Sequence, residues 1–136
     1  FSIMTLVVVP VRYPLSRHSR ATLKRAIEVA DNHDGDLTVL HVNLYQDDNS
    51  TTRSELKRAV EREFGRISRA RYVVRPGFMI EETILDEIVA EGADYVVIGR
   101  KQTGRWRRMV RRLIDDPDIE GFLRGELDCE IITASP

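Results

Sequence analysis

Continuous apolar runs alternate with amphipathic stretches from one end of the chain to the other, and this alternation predicts most of its elements. Met4 to Val11 (MTLVVVPV) reads as a strand buried on both faces. It ends near Pro10, where a missing amide is tolerated best. From about Arg17 to His33, Leu23, Ala26, Ile27 and Ala30 recur at helical spacing, and Gly35 is expected to stop that helix. Asp36 to Asn43, with Leu37, Val39, Leu40 and Val42, is a second buried strand. Ser50-Thr51-Thr52 offer N-cap oxygens and Glu55 a capping-box acid for a second helix. Its apolar face is Leu56, Val60 and Phe64, and it should run to about Arg66. Arg71 to Arg75 is a short strand flanked by charge, which suits a sheet edge, and Pro76-Gly77 is expected to turn the chain. Glu81 and Glu82 then favour the positive end of a third helix, whose buried face is Ile84, Leu85, Ile88 and Val89. Gly92 punctuates its end, Tyr95 to Ile98 is another buried strand, and Gly99 follows it. Asp118 to Gly125 is expected as a short helix and Cys129 to Ala134 as the last strand.

Five strands separated by helices imply right-handed crossovers, and so an α/β fold: a doubly wound five-stranded parallel sheet with helices on both faces. In the order 3-2-1-4-5, the ligand crevice lies between the first and fourth strands, beyond their carboxyl ends. Pro10 to Ser16 would line one side and Gly99 to Arg112 the other. Glycine after a strand serves a sharp turn or a close approach to a ligand, because a side chain there would clash.

Composition narrows the picture. A chain of 136 residues fits one domain, residues 1–136, able to bury roughly two thirds of its unfolded surface. With 42% hydrophobic and 32% charged residues it has the make-up of a soluble globular protein, and no apolar run nears the roughly 20 residues that span a bilayer. A formal net charge of −1 argues against a wholesale basic nucleic-acid binder, so no nucleic acid is expected as a partner. The lone Cys129 has no internal disulfide partner and fits a reducing cytoplasm. No signal-peptide pattern is visible, and Phe1-Ser2-Ile3 ahead of Met4 is treated as extraneous to the fold.

Charge is nevertheless uneven. Arg100 to Arg112 holds seven basic residues and no acid, while Trp106, Met109, Val110, Leu113 and Ile114 follow the spacing of an amphipathic helix. Such a segment can meet an anionic membrane surface or a partner protein. The plainer reading packs its apolar stripe on the sheet, with Trp106 as an anchor and the arginines solvated. Other chemistry is sparse. His18, His33 and His41 lack metal-ligand spacing, and His41 at a strand end suits a structural hydrogen bond. Cys129 is read as a small buried residue and Ser16 and Ser19 as helix caps. Nucleophile, base and oxyanion donors cannot be assembled from these motifs.

Strand one with Pro10, the His41-Val42 pair, Pro76-Gly77 before helix three and the segment AEGADYVVIG resemble the universal stress protein family over nearly the whole chain. The resemblance implies an adenine nucleotide alpha hydrolase-like fold, a cytoplasmic location and a homodimer paired through the last strand, here Cys129 to Ala134. One subgroup of that family binds ATP through a G-x2-G-x9-G-[ST] loop and an aspartate just after strand one. Laid on this chain, the loop's first glycine is Gly99, its second falls on Gln102 and its last pair on Arg112-Leu113. Gly104 matches a glycine often found inside the loop. Pro10-Val11-Arg12 stands where the subgroup has proline, a small residue and the acid. Val42, whose backbone the family offers to adenine, is kept.

These residues imply a non-catalytic regulatory or binding module with a degenerate nucleotide crevice. Its candidate residues are Pro10, Val11, Arg12, Val42, Gly99, Arg100, Lys101, Gln102, Gly104 and Arg112. One alternative is a switch or slow ATPase that holds ATP or a related adenine nucleotide through Arg100, Lys101 and Arg112. Another is a cytoplasmic regulatory domain that works beside a membrane transporter through the basic segment. No metal site is expected.

Overall fold

The computed structural model describes residues 4–47, 50–100, 102, 104–106, 108 and 129–134. In chain order the elements are β1 (Leu6–Pro10), α1 (Arg17–Asn32), β2 (Asp36–Leu44), α2 (Arg53–Phe64), β3 (Ala70–Gly77), α3 (Ile80–Glu91), β4 (Tyr95–Gly99) and β5 (Glu130–Ala134). The five strands form one sheet of order β3-β2-β1-β4-β5, and every pairing is parallel.

The continuous apolar runs are explained by alternation across this sheet. Successive side chains leave a strand on opposite faces, so a strand covered on both sides needs apolar residues at every position. Val7, Val9 and Val11 of the β1 segment join Leu23 and Ala26 of α1 and Leu56 and Val60 of α2 in one core layer. Val8 points the other way, into a layer with Leu40, Ile84, Ile88, Val96, Ile98 and Trp106. Full burial of each large aliphatic side chain contributes about 1.5–3 kcal/mol. The two layers together hold the sheet between its helices.

Local signals set most boundaries. Thr52 is the N-cap of α2 and completes the expected capping box with Glu55, and Gly65 (φ 72°) ends that helix just after Phe64. Gly92 ends α3 in the left-handed conformation, φ 64° and ψ 45°. The end of α1 differs from expectation. The left-handed residue is Asp34 (φ 49°), whereas Gly35 is needed for space: a Cβ there would lie 2.6 Å from the Thr5 carbonyl oxygen. Pro76-Gly77 also differs, because it closes β3 instead of turning the chain. β3 has a single strand neighbour, so a missing amide is tolerated there.

The described residues following β4, namely Arg100, Gln102, Gly104 to Trp106 and Arg108, are helical. Trp106 is 2% exposed and sits in the α3-side core, as the plainer reading of the amphipathic stripe expects. Met109 to Ile114 and the expected helix Asp118 to Gly125 lie outside the described residues.

Candidate functional site

The chain runs outward from β1 to β2 and β3, then returns to lay β4 on the other side of β1. The carboxyl ends of β1 and β4 therefore frame the point where strand order reverses. Val8 is level with Val96, and extending that register brings Val11 level with Gly99. Pro10 is paired with Leu40 of β2, so Val42 stands one turn of the pleat beyond the end of β1. Pro10, Val11, Val42 and Gly99 thus stand at the carboxyl end of the sheet.

The turn leaving β1 is tied down by its own neighbours. The Val11 amide donates to the Leu40 carbonyl at 2.8 Å, and the Val11 carbonyl accepts from His41 Nδ1 at 2.9 Å. His41 therefore makes the structural bond expected of it, with Tyr13 edge-on to its ring. The Arg12 amide donates to Ser19 Oγ at 3.2 Å, and Ser16 Oγ caps α1 by accepting from the Ser19 amide at 3.1 Å. Ser16 is the cap, as read from the sequence. Ser19 has a different role, being a buried acceptor that fixes the turn.

Val11 is buried and Arg12 exposed. Across the crevice, Gly99 is close to α1: a Cβ on it would meet Thr22 Oγ1 at 3.7 Å, an ordinary contact. Thr22 Oγ1 itself donates to the His18 carbonyl at 2.8 Å. Thr22 is the residue here that sequence reasoning missed, and Ser19 was read only as a cap. Their positions three apart on one face of α1 were the available signal. Arg100, Gly104, Arg105 and Arg108 are exposed and Gln102 is half-buried. Arg12, Arg100, Arg105 and Arg108 make no ion pair among the described residues. Lys101 and Arg112 lie outside the described residues.

Elsewhere the chemistry is muted. Burial, with Asp94 and Glu130 nearby, pushes the half-buried Cys129 thiol up to about 11, so it stays protonated and unreactive near neutral pH. No cluster of three metal-ligating side chains occurs among the described residues. No described helix is long and apolar enough to cross a membrane.

The sheet order and the crevice at its reversal point define an α/β protein of the nucleotide-binding-like kind. The model of the universal stress protein family matches residues 4–114, and the chain belongs to that family. Solved structures share the fold. The universal stress protein UspA from Lactobacillus plantarum is 18% identical, with 96% of this chain and 97% of that one covered and a TM-score of 0.58. A universal stress protein in complex with cAMP is 14% identical over 96% and 97% of the two chains, with a TM-score of 0.64. One from Archaeoglobus fulgidus in complex with dAMP is 15% identical over 98% of each, with a TM-score of 0.54. No curated protein sequence matches the chain.

Proposed function

We propose that this chain is a non-catalytic regulatory or binding module of the universal stress protein family that works as a homodimer and has a degenerate adenine-nucleotide crevice. The observation that carries this reading is the turn after β1. Arg12 is exposed there, and its amide is already spent on Ser19 Oγ. A carboxylate at that position accepts from ribose hydroxyls, whereas a guanidinium carries donors only. On the opposite side, a phosphate nest needs successive amides approached closely, and Gln102 puts a half-buried side chain where the ATP-binding subgroup has glycine.

The cAMP and dAMP bound by relatives make those two nucleotides, with magnesium-ATP, the right titrants. Calorimetry with each is expected to give no micromolar binding, and native mass spectrometry to give a dimer free of adenine nucleotide. Micromolar affinity that disappears in Arg12→Ala sinks the reading. Such a result moves the assignment to a switch or slow ATPase that holds phosphate by charge. Arg100, Arg105 and Arg108, exposed and without an ion pair among the described residues, are the observation that supports that second reading.

A further inference from the structure

Three of the five large apolar side chains exposed among the described residues occur together: Tyr45 at 58%, Phe78 at 73% and Met79 at 45%. Tyr45 follows β2 and Phe78 follows β3, two strands whose last residues, Leu44 and Gly77, are paired. The Tyr45 amide donates to the Gly77 carbonyl at 2.9 Å, and Gln46 Nε2 donates to the Phe78 carbonyl at 3.3 Å. The two rings lie 4.5 Å apart at a 50° tilt. One backbone bond and one side-chain bond thus tie together the backbone under the exposed aromatic pair, which leaves less conformational freedom to lose on binding.

Its rim is acidic. Asp47 flanks Tyr45, and Glu81 and Glu82 occupy the first turn of α3 just beyond Met79. None of the three is ion-paired among the described residues, and the cation closest along β3, Arg75, is held in a fork by Glu87 at 2.7 and 3.1 Å. Aromatic faces bordered by unpaired carboxylates attract a guanidinium or ammonium group, whose alkyl stem covers the ring while its charge meets the acids. Anionic lipid and nucleotide phosphates are repelled by the same acids.

We propose that Tyr45, Phe78 and Met79, with Asp47, Glu81 and Glu82, form a docking surface for a basic, apolar-anchored segment of a partner protein. Charge complementarity selects this occupant. The surface follows the carboxyl ends of β2 and β3, at the same end of the sheet as the β1–β4 crevice, but it uses none of the crevice's candidate residues.

The test is fluorescence anisotropy with a labelled alternating Arg-Trp hexapeptide, an alternating Glu-Trp hexapeptide and the full chain. Saturable binding of the Arg-Trp peptide is expected, weakening with added salt and falling about tenfold or more in Phe78→Ser and in Asp47→Lys/Glu82→Lys. The Glu-Trp peptide should not bind. Phe78→Ser should unfold at an unchanged midpoint, since the ring is exposed, which separates lost docking from lost folding. No saturable Arg-Trp binding, equal binding of both peptides, or indifference to both variants overturns the proposal. A homodimer lost in Phe78→Ser but kept in Ile131→Lys gives the surface to a second copy and overturns it too.

Discussion

Arg69 shows how one residue can join two turns that are distant in sequence. Its Nε donates to Asp36 Oδ1 at 2.7 Å and its Nη1 to the Asp34 carbonyl at 2.8 Å and to Asp34 Oδ1 at 3.0 Å. Asp34 (φ 49°) and Arg69 (φ 63°) are also the non-glycine residues of positive φ among the described residues. Such a backbone costs a non-glycine residue roughly 1–2 kcal/mol. The clamp offsets that cost by fixing the α1–β2 turn to the start of β3. Much of the clamp is solvent-exposed, so its ion pairs contribute at most about 1 kcal/mol, with the guanidinium's hydrogen bond to the Asp34 carbonyl adding a similar amount. Arg69→Ala should therefore lower stability by about 1–2 kcal/mol in urea unfolding. Arg69→Gly loses the same clamp but relieves the backbone, so its loss should be visibly smaller.

At the scale of elements, two contacts decide how helices sit on the sheet. Trp106 anchors the helical residues after β4 in the α3-side core. Trp106→Ala should cost about 3–5 kcal/mol, read as a lowered denaturant midpoint, with Trp106→Phe losing much less. The second contact joins α3 to β2 and β3 through acids. Glu91 Oε1 accepts from Thr38 Oγ1 at 2.9 Å and also from Arg71 Nη2, while Glu87 is forked by Arg75. Burial, and then the neighbouring Glu87 carboxyl, push the Glu91 carboxyl above its ordinary value. Glu87 is buried as well, but the hydrogen bonds it accepts from Arg75, with the charges of Arg75 and Arg71, hold it below. The two carboxyls are thus pushed in opposite directions, Glu91 up and Glu87 down. A raised folded-state value gives stability that is complete below the unfolded carboxylate range and lost as pH rises through the folded value. Relative to wild type, Glu91→Gln should gain stability as pH goes from about 4 to about 8, because an amide has no proton to lose. A difference that stays flat across that range contradicts the raised Glu91 carboxyl.

Over the whole molecule, the two sheet edges are treated differently. β3 carries Arg71 and Arg75 as well as Pro76, and Arg53 Nε reaches the Tyr72 carbonyl at 3.1 Å. Charge, proline and a covering side chain are the ordinary protections of an edge. β5 is the opposite edge and leaves Ile131 39% exposed. That asymmetry makes β5 the candidate strand for pairing in the proposed homodimer. Ile131→Lys is expected to shift sedimentation from dimer to monomer at micromolar concentration, and a dimer unchanged by it places the contact elsewhere.

By itself the sequence determined the elements, because period-two and period-3.6 patterns, a capping box at Thr52 and a stop at Gly92 act over a few residues. It also determined the α/β class and the family, and it showed the missing glycine at Gln102 and the cation at Arg12. Short-range patterns do not report which groups become neighbours. The Gly35 approach to Thr5 and the Tyr45–Phe78 pair join residues that only chain crossing and sheet register bring together. Tertiary structure decided these, since each depends on strand ends meeting across the sheet, where burial and hydrogen bonding set the chemistry of a side chain more than its position in the sequence does.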